Sequence, residues 1–149
     1  MKFIFRIVGI LLFAFMIFNC SDNRCNEEVD VLLKAEIIVN DPILTNAGFL
    51  ETLSIYSPAW TDSVHYSSAN FMLELSPFAD TTVFVFTSQA WKDTVKIFYE
   101  RDLVYLSQEC GFVTYYKIDS TRYTSTIDSL VWVNKKLTTL TDGHVKIYF

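Results

Sequence analysis

Hydrophobic and polar residues alternate in short runs along most of this chain. From residue 31 onward, apolar stretches of four to nine residues, rich in Val, Ile, Phe, Tyr and Thr, are separated by clusters of turn formers. Val95 and Ile97 alternate with Thr94, Lys96 and Phe98, and Val145, Ile147 and Phe149 alternate with Lys146 and Tyr148, so one face of each run is core-like. No stripe of period 3.6 persists for three turns. The pattern predicts strands over 31–39, 50–57, 63–66, 70–75, 82–87, 93–99, 102–107, 112–119, 126–133 and 144–149. The breaks between them carry turn chemistry: Asp41-Pro42, Asn46-Ala47-Gly48, Ser57-Pro58, Ser76-Pro77 and Asp142-Gly143. Asp142-Gly143 has the form of a tight hairpin leading into the last strand.

Short strands at this spacing predict an all-β fold, an antiparallel β-sandwich of immunoglobulin-like architecture, with a small barrel as the alternative. The Cys-Trp-Cys spacing of antibody domains is missing, because Cys25 precedes the first strand. With 149 residues, of which 51% are hydrophobic and 24 are aromatic, the chain suffices for one compact domain, placed at 31–149. Only 4 Gly and 3 Pro occur, which excludes collagen-like and low-complexity classes.

The amino terminus departs from the alternation. Lys2 and Arg6 precede an uninterrupted apolar run from Ile7 to Phe18, the layout of a secretory signal over 1–19. Twelve residues rise only about 18 Å as a helix, against a hydrocarbon core of roughly 30 Å, so a membrane span is the poorer reading. Ile17-Phe18-Asn19-Cys20 then resembles the lipobox of bacterial lipoproteins, with Asn19 standing where a smaller residue is usual. That resemblance implies lipidation of Cys20, a short acidic tether over 20–30, and, from Ser21, sorting to the outer membrane. Removing Lys2 and Arg6 from the twelve basic residues leaves ten against seventeen acidic ones, a net charge of −7. Such a surface repels polyphosphates and anionic headgroups, so no nucleic-acid partner is expected and attachment must come from lipid.

If Cys20 is acylated, Cys25 and Cys110 remain, and an even pair in an exported protein reads most simply as a disulfide. Two free buried thiols are the alternative. A Cys25 to Cys110 bridge would leave five residue steps between lipid and fold, a reach of at most about 17 Å. The domain would then lie close against its membrane, beside a membrane-associated protein partner.

Cys20 with Cys25, the segment Ser76-Pro77-Phe78-Ala79-Asp80-Thr81-Thr82-Val83-Phe84-Val85-Phe86, Glu109-Cys110-Gly111-Phe112 and the terminal His144-Val145-Lys146-Ile147-Tyr148-Phe149 together resemble a Bacteroidota lipoprotein family known only as a domain of unknown function. The resemblance implies lipidation and the Cys25 to Cys110 pairing and carries no catalytic residues. A second likeness is to the Bacteroidota O-glycosylation sequon, an Asp followed by Ser or Thr and a small aliphatic residue or Thr. Five of the ten Asp residues begin such a triplet, which marks Ser63, Thr81, Thr94, Ser120 and Ser129. Asx-turns at strand entries would produce the same clustering. Glycosylation further requires an exposed turn.

Catalytic and metal patterns are missing. His65 and His144 have no ligand partners at metal spacing, and neither a nucleophile elbow nor a phosphate loop occurs. His144, next to Asp142-Gly143, reads as a solvated turn residue. Glu74 and Glu100 could pair as hydrolase carboxylates, as acids in any β protein could. Trp60, Tyr66, Tyr99, Tyr115, Tyr116, Tyr123 and Trp132 either pack or line a sugar or peptide surface, and Trp60 is the first candidate contact. The expectation is a lipid-anchored envelope protein without enzyme activity, cofactor or metal, serving as an adaptor or accessory subunit of a membrane complex. A glycan- or peptide-binding lipoprotein is the alternative.

Overall fold

The structure, a computed structural model, describes residues 25, 27–42, 49–58, 64–65, 68–88, 91–124, 126–140 and 142–149. The signal segment 1–19, Cys20, Trp60, Ser63 and Tyr66 lie outside them. Among the described residues ten strands follow in order: β1 Leu32–Ile38, β2 Ser54–Tyr56, β3 Val64–His65, β4 Asn70–Glu74, β5 Thr81–Ser88, β6 Trp91–Ser107, β7 Gly111–Tyr123, β8 Ser129–Trp132, β9 Lys136–Leu137 and β10 Val145–Tyr148. A 3₁₀ turn at Leu50–Thr52 precedes β2, where the sequence predicted unbroken strand.

The strands form two sheets, a four-stranded one in the order β4-β1-β10-β8 and a six-stranded one in the order β3-β2-β5-β6-β7-β9. Alternation drives their packing. Leu33, Ala35, Ile37, Phe71, Leu73, Val145 and Ile147 from the smaller sheet meet Ile55, Phe84, Phe86, Val95, Ile97, Ile118 and Leu137 from the larger one, all buried. The fold is therefore the all-β sandwich that the pattern predicted.

Its topology was less legible. The first and last strands lie side by side in parallel, Ala35 opposite Val145 and Ile37 opposite Ile147. A final strand in the middle of a sheet departs from the immunoglobulin order, in which it lies at an edge. Asp142-Gly143 consequently makes no hairpin. β9 and β10 belong to different sheets, and the turn, with Gly143 at φ 60°, redirects the chain between them.

The strands predicted at 93–99 and 102–107 are one element of seventeen residues. Glu100, Arg101 and Asp102 look like a charged break, but partners hold them in the strand. Lys117 Nζ donates to Glu100 at 2.9 Å, and Arg101 Nε donates to Asp80 at 2.7 Å. A β-bulge lets β6 and β7 stay paired along this length. Phe98 faces Ser120 and Tyr99 faces Ile118, so Asp119 is the extra residue. The inward face of β7 shifts there from Thr121 to Ile118.

Candidate functional site: a disulfide-tied ribbon at one end of the sandwich

The larger sheet outruns the smaller one. Pairing of β5 with β6 ends at Thr81 opposite Phe98, and β9 pairs with β7 only at Tyr116 and Lys117. Beyond these points β6 and β7 continue as a two-stranded ribbon, from Asp102 opposite Tyr115 to Ser107 opposite Gly111. No described strand pairs with its outer edges. An isolated two-stranded ribbon is marginal in water, so something must hold this one in place.

Its base is fixed by hydrogen bonds. The rings of Tyr99 and Tyr116 meet edge to face with centroids 5.2 Å apart. Tyr99 OH donates to Ser76 O at 3.0 Å and lies 2.7 Å from Thr82 Oγ1, and Tyr116 OH donates to Leu75 O at 3.2 Å. Burial raises the pKa of both phenols, to about 12 for Tyr116, so each stays a neutral donor at ordinary pH. Arg101 adds a clamp on the same connection, donating to Pro77 O at 2.8 Å besides Asp80. The connection from β4 to β5 thus grips the ribbon where it leaves the core.

The tip is fixed covalently. Cys25 is bonded to Cys110, their Cα atoms 4.7 Å apart, in the turn between β6 and β7. Gly111 follows at φ 70°, a left-handed conformation natural to glycine, and Cys110 N donates to Ser107 Oγ at 3.1 Å. The chain from Cys25 to β1 returns along the ribbon. A cleft of about 420 Å³ lies there, between Val29 to Leu32 on one side and Cys110 to Thr114 on the other, floored by Leu75 and Tyr116.

Between base and tip the apolar face is only partly covered, by Val29 to Leu32 across the cleft and by Pro77 and Asp80 beside Leu103 and Thr114. Leu103, Tyr105, Thr114 and Phe112 continue the row that begins with buried Tyr99, Tyr116 and Ile118. The smaller sheet ends at Leu32 opposite Glu74, at the cleft that Phe112 and Thr114 also line. Leu103 is 66% exposed, Tyr105 56% and Phe112 63%, and Phe78 on the neighbouring turn is 91% exposed. The Tyr105 and Phe112 rings touch at 5.2 Å between centroids. The sequence reading missed this cluster, because an apolar ribbon reads like any core strand until it is known where the facing sheet stops.

The remaining candidates separate. Tyr99 and Tyr116 are packing residues, and Trp132 is partly buried with Nε1 donating to Thr121 Oγ1 at 3.4 Å, so these rings offer no ligand platform. Glu100 is engaged by Lys117. Thr81 and Ser129 open β5 and β8, whereas Thr94 and Ser120 lie inside β6 and β7, away from any turn. Among the described residues no group of three or more His, Cys, Asp or Glu is placed to hold a metal ion. His144 is fully buried, against the solvated position read from sequence. Its backbone N–H donates to Lys34 O at 3.0 Å and its Nδ1 accepts from Lys34 N–H at 2.9 Å. The imidazole thus stands in for a carbonyl at the end of the parallel ladder.

Fold and site define a two-sheet β-sandwich with a disulfide-tied apolar ribbon projecting from one end. By its sequence over residues 52–149, the chain belongs to the Family of unknown function DUF6452. That span contains Cys110 and the whole ribbon and leaves Cys25 outside. No curated protein matches the chain, and no solved structure does.

Proposed function

We propose that this is a lipid-anchored protein of the bacterial cell envelope, sorted to the outer membrane in a Bacteroidota host, which serves as an adaptor or accessory subunit beside a membrane complex rather than as an enzyme. The observation that carries the reading is the position of Cys25. It is bonded to the tip of the ribbon and stands five steps after Cys20, so an acyl group on Cys20 would hold that end within about 17 Å of the lipid. Several acyl chains at about 0.8 kcal/mol per buried CH₂ suffice for stable anchoring, where one does not. A protein so closely held has its partners in or at the membrane.

Intact mass spectrometry of the protein purified from its own envelope tests the anchor. The expected mass is that of the chain from Cys20 with its acyl groups, and a Cys20→Ser variant should leave the membrane fraction. Glycans on Ser63, Thr81 or Ser129 would add to the same mass. Recovery of a freely secreted, unacylated chain would end the reading. Crosslinking in native envelopes addresses the adaptor role and should yield one stoichiometric membrane neighbour.

A further inference from the structure

The exposed apolar side chains on this face of the ribbon need an occupant, and we infer that it is the surface of the lipid bilayer, into whose headgroup boundary Leu103, Tyr105 and Phe112 insert. The inference rests on the anchor reading and goes beyond it, since a tether alone fixes distance and leaves orientation free. Three observations point to lipid. Phe112 is two residues from Cys110, so the apolar cluster lies beside Cys25, which follows Cys20 by five residues in sequence. Exposed apolar side chains also gather at this end, where Phe78 and Val29 join the ribbon's three. The ribbon itself is held by the disulfide at its tip and by the Tyr99, Tyr116 and Arg101 contacts at its base, so its side chains need no reordering to dock.

Charge selects the kind of surface. Glu27, Glu28, Asp30, Asp102 and Glu109 are exposed around the cluster, with Arg101 as the cation at its base. Such a rim opposes anionic headgroups and suits zwitterionic ones. A Tyr paired with apolar neighbours fits the headgroup level, where one end of the ring is apolar and the other wet.

Depth-dependent quenching of the native acylated protein in phosphatidylcholine vesicles tests the inference. The lipid is brominated near the headgroup end of one acyl chain, and tryptophan is introduced by Tyr105→Trp at the tip or by Lys92→Trp at the far end of β6. The two sites are about 40 Å apart along the strand. After subtraction of the wild-type signal, docking about 5–10 Å into the boundary should quench the tip probe roughly threefold more than the distal one. Phe112→Trp should repeat the result if Tyr105→Trp perturbs the ribbon. Equal, weak quenching of both probes while the protein floats with the vesicles would overturn the docking and leave the anchor standing. A tip probe shielded from acrylamide yet untouched by bromine would also overturn it, since the cover would then be a second copy or another protein. Failure to float would remove the anchor and the docking together.

Discussion

His144 titrates against its own structural role. Burial lowers its pKa from the ordinary 6.5, Lys34 lowers it further and Asp142 opposes. The neutral ring accepts the Lys34 N–H at Nδ1, and a proton there would destroy that bond. A group with a depressed folded pKa stays unprotonated in the native state while the unfolded chain takes up the proton. Stability is therefore full above about pH 6.5 and declines as pH falls below it. The urea midpoint of the wild type should drop between pH 7.5 and pH 5, ahead of any carboxylate effect. His144→Phe should cost about 1–3 kcal/mol by leaving the Lys34 N–H unsatisfied. It should also flatten the pH dependence, and an unchanged slope in that variant would contradict this account. Asp142, held below the usual carboxylate range by Lys34, is exposed and acts at lower pH.

At the scale of elements, the ribbon shows why alternation alone misplaces boundaries. Strands β6 and β7 persist through charged positions because Lys117 and Arg101 supply cross-strand and neighbouring partners, information carried by residues far away in sequence. The turn at the tip depends on Gly111, where an added Cβ would meet no heavy atom within 4 Å. The left-handed backbone is thus the whole penalty for a larger residue. Gly111→Ala should destabilise the protein by about 1 kcal/mol, measured by urea denaturation. Hydrogen exchange should place the loosened amides in the ribbon and leave β1, β5 and β10 protected. The aromatic contacts at the opposite end, where Trp91 stacks on Phe49 at 4.8 Å between centroids and lies 5.1 Å from Phe149, close the core independently of this turn.

Across the whole molecule, the disulfide joins two parts that the sheets leave separate. It closes a loop between positions 85 apart. The chain-entropy model assigns such a closure about 4–5 kcal/mol, an upper figure because the unfolded chain keeps some structure. The double variant Cys25→Ser with Cys110→Ser should lose stability by up to that amount in equilibrium denaturation. Its ribbon and the 27–31 segment should exchange fast, while the sandwich remains folded on its core of Leu33, Phe84, Phe86, Ile97 and Ile147. Loss of the entire fold in that variant would mean that the core is insufficient without the bridge.

The strand content and the two-sided packing were legible because they follow from a period of two and turn residues at intervals; the pairing of Cys25 with Cys110 was legible only once the lipobox resemblance had set Cys20 aside and left an even pair. The Ser and Thr candidates were legible only as a motif, and their placement divided them, Thr81 and Ser129 at strand starts, Thr94 and Ser120 within strands. Tertiary structure alone decided that the first and last described strands lie side by side, that His144 is buried in the join, and that Leu103, Tyr105 and Phe112 stay largely exposed. Each depends on which strand neighbours which and where one sheet stops against the other. An alternating pattern says which side of a strand is apolar, and the length of the opposing sheet determines whether that side is core or surface.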